Sequence, residues 1–208
     1  MSLNDYKEKR DFGVTPEPKG GGMSSSNGRR FVIQEHDASS HHFDFRLEVD
    51  GELVSWSVPK GPSTDPEERR LAIRTENHPL EYADFEGVIP EDEYGGGTVI
   101  VWDRGEYRNL KEGGEGEEGS DGEDEAISMA DQVDDGHITV WLEGEKLTGG
   151  YALTRTDQDD DEERWLLVKM DDEGADARRN PTSSEPESVK SGRTLDEVRE
   201  AESDEEDG

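Results

Sequence analysis

The sequence contains no cysteine, which excludes disulfides and thiolate metal centres and leaves histidine, aspartate, glutamate and backbone oxygen as donors for any ion. Such donors point to the harder divalent ions. Apolar residues are scarce, at 28% of 208 positions, and no apolar run approaches the ~20 residues of a membrane-spanning helix. The polar start MSLNDYKEKRD lacks the apolar core of a signal peptide. A cytoplasmic protein without membrane contact is expected. Cations are scarce too: 23 Lys and Arg stand against 55 Asp and Glu, for a formal net charge of -32. The acidic residues are spread over strands and turns as well as tails, the pattern of a halophilic surface that stays hydrated at high salt. At ~1 M salt the Debye length falls to roughly 3 Å, so bulk negative charge does not exclude a nucleic-acid ligand.

The apolar residues that are present concentrate between about Phe31 and Trp102 and between Ile138 and Met170. One domain, and a monomer, is the economical expectation. Residues 1–30 include TPEPKGGGMSSSNG and read as a flexible N-terminal arm. Residues 31–170 read as the domain, and 171–208 as an acidic, largely disordered tail in which RTLDEVREAE can form one helical segment. Within the domain, RFVIQEH, HFDFRLEVD, ELVSWSVP, RLAIRTE, GTVIVWD, ITVWLEG, GYALTRT and RWLLVKM are short β-type runs separated by turn signals. They predict an all-β, mainly antiparallel fold, a barrel or sandwich. Asp50-Gly51 predicts a type I′ hairpin turn. Residues 111–136 are too polar to repay ordering and read as a mobile acidic loop.

In HHFDFRLEVD, the period of two puts His42, Asp44, Arg46 and Glu48 on one strand face and Phe43, Phe45, Leu47 and Val49 on the other. An imidazole and a carboxylate two residues apart on one face suit a single ion, and His36 is placed to join them from the preceding strand's end. Arg46 follows on that face, where its guanidinium suits bidentate contact with a metal-bound phosphate. His41 points the other way and stays out of the site, and His137 reads as a solvated residue beside the acidic loop. Lys60, Arg70, His78 and Tyr82 are candidates to complete a phosphate site; each by itself fits an ordinary solvated or turn-capping role equally well. GVIPEDEYGGGT lacks both the GxxxxGK[ST] pattern and a following helix, so it reads as a turn between strands rather than a phosphate cradle.

VIQEHDASSHHFDFRLEVDGELVSWSVPKGPS and NHPLEYADFEGVIPEDEYGGGTVIVWDRG, with YKEKRDFGVTPEP before them, closely resemble the 3′-phosphoesterase domain of ATP-dependent DNA ligase D. GEKLTGGYALTRT and RWLLVKM extend the resemblance more loosely, to Met170. It implies a compact β-barrel with a polar groove and a Mn²⁺-dependent enzyme acting on DNA primer-template 3′ ends. Such an enzyme removes a 3′-terminal ribonucleoside and then the 3′-phosphate, leaving a ligatable 3′-OH for end joining. It also implies metal ligands at His36, His42 and Asp44, and phosphate-contacting or catalytic residues at Arg46, Lys60, Arg70, His78 and Tyr82. Gln34, Arg10, Asp11 and Glu17 fall in family motifs, with Gln34 expected to support the site. His78 is expected to serve as general acid or transition-state donor, and Tyr82 to orient the scissile group. Three departures stand out: His41 and Phe43 replace the family's usual Leu and Tyr, an acidic insertion follows Arg108, and no ligase or polymerase domain is present, so a ligase is expected in trans. Two rival readings remain open at this stage. A non-haem iron oxygenase would use His42, Asp44 and a distant His78. A non-catalytic module would dock a ligase to DNA ends.

Overall fold

Alternating side chains build a two-faced strand, and the Asp50-Gly51 turn pairs the strands on either side of it. Asp50 (φ 50°) and Gly51 (φ 84°) both take positive φ, as a type I′ turn requires. The computed structural model describes residues 2–21, 28–112, 126–158 and 162–206. All eight runs named above are strands: β1 (Arg30–Asp37), β2 (His41–Val49), β3 (Glu52–Val58), β4 (Arg69–Arg74), β6 (Gly97–Asn109), β7 (His137–Gly144), β8 (Thr148–Gln158) and β9 (Glu163–Lys169). A short ninth, β5 (Gly87–Ile89), occupies the GVI of the expected turn.

Hydrogen bonding runs β1-β2-β3-β4-β9-β8-β7-β6, and β6 returns to β1, so eight antiparallel strands close a barrel. β5 adds to β6 outside the ring. Closure removes the exposed edges an open sheet would present. The interior holds Phe31, Phe45, Leu47, Trp56, Trp102 and Trp165, all at 2% exposure or less. A bulge in β6 opposite Ile33 and Gln34 accommodates Trp102, because Ile33 faces Asp103 while Gln34 faces Val101.

A second apolar cluster lies on the other side of the β1, β3 and β6 wall, with Tyr6, Val32, Leu53, Leu80, Tyr82 and Val101 among its members. β1 is therefore buried on both faces from Phe31 to His36. The covering comes partly from the N-terminal segment, which departs from the expected coreless arm. Helix α1 (Leu3–Glu8) is capped by Ser2 and buries Tyr6 completely. Tyr6, with Leu3 and Phe12 partly buried beside it, meets a ready-made apolar surface rather than having to nucleate a core. The 3₁₀ turn Leu80–Asp84 supplies the rest of the cover.

The other polar segments also differ from expectation. In the acidic loop, residues 113–125 lie outside the described residues, but Ser128 caps helix α2 (Met129–Asp135), which packs on the core. Beyond Met170, helices α3 (Pro181–Ser184) and α4 (Leu195–Glu206) lie against the barrel. Val198 is 1% exposed, and the main chain is fastened by Val189 N to Val101 O (2.9 Å) and Trp102 Nε1 to Glu185 O (2.8 Å). These hydrogen bonds use barrel partners that composition cannot reveal. No helix among the described residues is long and apolar enough to cross a membrane.

Candidate active site

The hairpin register assembles the site. On the outer face of the wall, His36 pairs with His42, Gln34 with Asp44, and Val32 with Arg46. From β3, Ser57 stands opposite Asp44 and Ser55 opposite Arg46. The groove is thus outside the barrel's apolar interior, between this wall and the N-terminal cover. It is an open cavity of about 300 Å³ whose walls include His36, His42, Asp44, Arg46, His78 and Tyr82.

His36, His42 and Asp44 form the one group of three metal-ligating side chains among the described residues, with ligand atoms within 4.8 Å of one another. His36 Nδ1 is 3.8 Å and His42 Nε2 3.7 Å from the Asp44 carboxylate. His42 Nδ1 donates to Ser40 O at 2.7 Å, which presents Nε2 to the shared space. His36 Nε2 is buried with no hydrogen-bond partner. An orphaned imidazole nitrogen, a fixed second imidazole and a carboxylate fit a divalent transition ion after adjustments of about an ångström, with positions left open for a ligand. Burial works against charge on Asp44, but Arg46 and the two imidazoles outweigh it and hold the carboxyl well below the usual carboxylate range. Burial likewise opposes charge on His42, and Asp44 overcomes it to raise that pKa.

Arg46 is 2% exposed and nearly consumed by its neighbours. Its Nε donates to Gln34 Oε1 (2.8 Å), Nη1 to Ser55 Oγ (2.9 Å) and His78 Nδ1 (2.8 Å), and Nη2 to Asp44 Oδ2 (3.0 Å). With four of its five N–H groups directed inward, a bidentate grip on phosphate is not available to it. Gln34 supports it as expected, and its own Nε2 donates to Tyr82 O and Phe85 O (3.0 and 2.9 Å). His78 Nδ1 lies within hydrogen-bond distance of both a donor, Arg46 Nη1 (2.8 Å), and an acceptor, Glu76 O (2.9 Å), and the two contacts call for opposite tautomers. Burial first, then the positive charges of Arg46 and Arg10, push the His78 pKa well below the ordinary value. His78 is not in the metal-ligating group, so His42, Asp44 and His78 are not the set the fold brings together, and the lowered pKa favours a neutral imidazole over an imidazolium acid.

Tyr82 stands edge-on to His78 (4.6 Å between centroids) and donates its hydroxyl to Glu17 Oε1 at 3.0 Å. Burial, then Glu17, drives its pKa well above the usual phenol value, so it stays a phenol. Glu17 also accepts from Arg10 Nε (2.8 Å), and Arg10 Nη1 donates to Glu76 Oε1 (3.1 Å). The N-terminal segment is thereby locked onto the site through Arg10 and Glu17.

Three expected residues do not line this cavity. Lys60 is exposed in the turn after β3; Arg70, on β4, pairs with Glu68; Asp11 is exposed and caps Gly13 N at 2.9 Å. His41 pairs with Glu35 at 2.8 Å, outside the metal group, and His137 is exposed. Glu76, Ser57 and Tyr94 line the cavity, Ser55 holds Arg46 behind it, and all four were missed. The two serines had a signal: a two-residue turn at Asp50-Gly51 fixes 55 opposite 46 and 57 opposite 44. Glu76 and Tyr94 had none, since loop geometry brings them in.

The lining carries two guanidinium groups, Arg10 and Arg46, against three carboxylates, Glu17, Asp44 and Glu76. Counting these five groups alone it is anionic by one unit, and a divalent ion would make it cationic by one.

The fold is a closed β-barrel with a polar outer groove in which two histidines and a carboxylate could hold a divalent ion. The comparisons give the family. The model of the DNA ligase D 3′-phosphoesterase domain matches residues 34–155, and the chain belongs to that family. It is 45% identical over 197 residues to the multifunctional non-homologous end joining protein LigD of Pseudomonas aeruginosa, covering 93% of this chain and 22% of that protein. It is 43% identical over 169 residues to the LigD DNA repair protein of Mycobacterium tuberculosis, covering 81% and 20%. For LigD of Mycolicibacterium smegmatis the identity is 41% over 174 residues, covering 82% and 21%. The chain thus spans about a fifth of the length of the curated relatives it matches.

Proposed function

We propose that this protein is a Mn²⁺-dependent phosphoesterase that heals DNA 3′ ends for end joining, removing a 3′-terminal ribonucleoside and then the 3′-phosphate. The observation that carries this reading is the charge reversal in the groove: a lining that is anionic alone becomes able to hold a phosphate once an ion sits on His36, His42 and Asp44. When bound, such an ion polarises a phosphoryl oxygen and lowers the pKa of a coordinated water.

The chain's own residues divide the remaining work. A neutral His78 serves as hydrogen-bond donor to a phosphoryl oxygen whose charge grows in the transition state. Arg46 packs beside His78 and holds Asp44 in its charged form, acting by position and by field more than by contact. Tyr82 walls the groove and orients the scissile group. Arg10 neutralises charge from the N-terminal side. Lys60 and Arg70, outside the cavity, meet strand phosphates. A ligase-docking module without catalysis would have little use for a buried Arg46–His78 pair beside the ion site.

The test is incubation at high salt of a primer-template with a 3′-ribonucleotide or 3′-phosphate end, with Mn²⁺ or with a chelator. The expected result is a 3′-OH end with Mn²⁺ and none with the chelator. Intact ends under every divalent ion tried would refute an enzymatic role.

A further inference from the structure

The run GVIPEDEYGGGT carries no phosphate cradle, yet it shapes one wall of the groove. Two successive turns, Glu93 N to Pro90 O and Gly96 N to Glu93 O (both 3.0 Å), fold it tightly. The glycines then let it lie flat on the end of β1. A Cβ on Gly97 would stand 2.1 Å from Asp37 O, and one on Gly96 2.6 Å from Pro90 O. Gly95 reaches the neighbourhood of the His36 ring. The side chain this construction displays at the mouth is Tyr94, which lines the same cavity as the ion cluster and is 49% exposed. It is the one aromatic among the described large apolar residues that are exposed.

Its ring is also steadied. Lys9 Nζ lies 4.6 Å and the Arg10 guanidinium 5.4 Å from its centroid, and Lys9 donates to its hydroxyl at 3.3 Å. An aromatic ring held by cations beside a polar groove, with half its surface in water, lacks a partner for its apolar part. The last base of a nucleic-acid strand has a matching deficit, because it is stacked by a neighbour on one face only.

We infer that Tyr94 is a binding residue for the nucleic-acid end: its ring stacks on the free face of the strand's terminal nucleobase and seats the adjoining phosphate over the ion site. This rests on the phosphoesterase reading above. Stacking of this kind serves any base, because every base has a π-face, so it suits an enzyme acting on ends of arbitrary sequence.

The experiment measures Mn²⁺-dependent 3′-end hydrolysis by the whole protein and by Tyr94→Ala and Tyr94→Phe, on a normal primer and on one whose terminal sugar lacks its base. On the normal primer, Tyr94→Ala is expected to raise KM on the order of 10-fold with kcat within about 2-fold, since the contact exists before and during reaction. Tyr94→Phe keeps the ring and is expected to restore KM to within about 2-fold of the original. On the baseless primer the original protein and Tyr94→Ala are expected to coincide. The proposal is overturned if the alanine variant matches the original on the normal primer, if its penalty persists on the baseless one, or if phenylalanine fails to rescue, which would assign the effect to the hydroxyl contact with Lys9. Absence of hydrolysis by the original protein would instead overturn the phosphoesterase reading itself.

Discussion

β1 and β2 carry opposite chemistries on their two faces. On the inner face Phe31, Ile33, Phe45 and Leu47 pack into the barrel, and each stabilises the fold by the area it removes from water. On the outer face His36, Gln34, Asp44 and Arg46 are buried too, but Gln34, Asp44 and Arg46 are held by directed hydrogen bonds to one another, while His36 keeps an unpartnered Nε2. The difference lies in tolerance. An apolar face loses stability roughly in proportion to volume removed, whereas a polar network fails when one partner leaves another buried and unpaired.

The largest expected effect falls on the outer face. His42→Ala, whose side chain is partly open to solvent, should bring Mn²⁺-dependent release of phosphate from a 3′-phosphate primer below detection while leaving the melting temperature of the metal-free protein nearly unchanged. Full activity would dissolve the distinction between the faces. Phe45→Ala should do the reverse: about 3 to 5 kcal/mol of stability lost in urea denaturation, with activity per folded molecule kept. An equally large loss of activity in the folded fraction would show that the inner face tunes the site.

Gln34→Ala sharpens the comparison, because Gln34 is fully buried but lies in the network. It removes Arg46's partner at Nε and the donor to Tyr82 O and Phe85 O, so about 1 to 3 kcal/mol of stability and roughly 10- to 100-fold of activity should go together. Loss of only one of the two would mean the network is not shared between fold and site.

Protons offer a gentler test. His78 is held neutral in the fold, with its pKa well below the ordinary ~6.5 that it regains on unfolding. Below about pH 6.5 the unfolded chain therefore binds the extra proton, and stability falls as pH falls, by at most ~1.4 kcal/mol per unit. Above that value the group adds no slope. Urea titrations of the metal-free protein between about pH 5 and 7 should show this slope, and His78→Gln should flatten it; identical slopes would place the imidazolium in the fold. The smallest effect belongs to neither face. Gly51→Ala meets no atom within 4 Å of its new Cβ, so only its positive φ is penalised, at about 1 kcal/mol.

The inner face was legible because short β-type runs separated by turn signals are a local signal, and all eight barrel strands carried it. His36, His42 and Asp44 were legible for the same reason, since strand phase alone puts the last two on one face. What escaped the sequence was contact between distant segments. Tyr6 and Val198 are apolar residues in polar stretches, and nothing nearby marks them as the anchors that fasten the two ends to the barrel. Arg46 reads as a phosphate fork until the positions of Gln34, Ser55 and His78 show its donors taken. Lys60 and Arg70 have the right chemistry for the groove but the wrong strand positions, while Glu76 and Tyr94 arrive through turns whose geometry no spacing rule encodes.

The central claim is that the outer face of β1 and β2 holds one divalent ion. Titration of the metal-free protein with Mn²⁺, reading free Mn²⁺ by its paramagnetic resonance signal, tests it most directly. The account predicts one tightly bound equivalent for the original protein and none for folded His42→Ala. Equal binding by both, or no binding by the original, would contradict it.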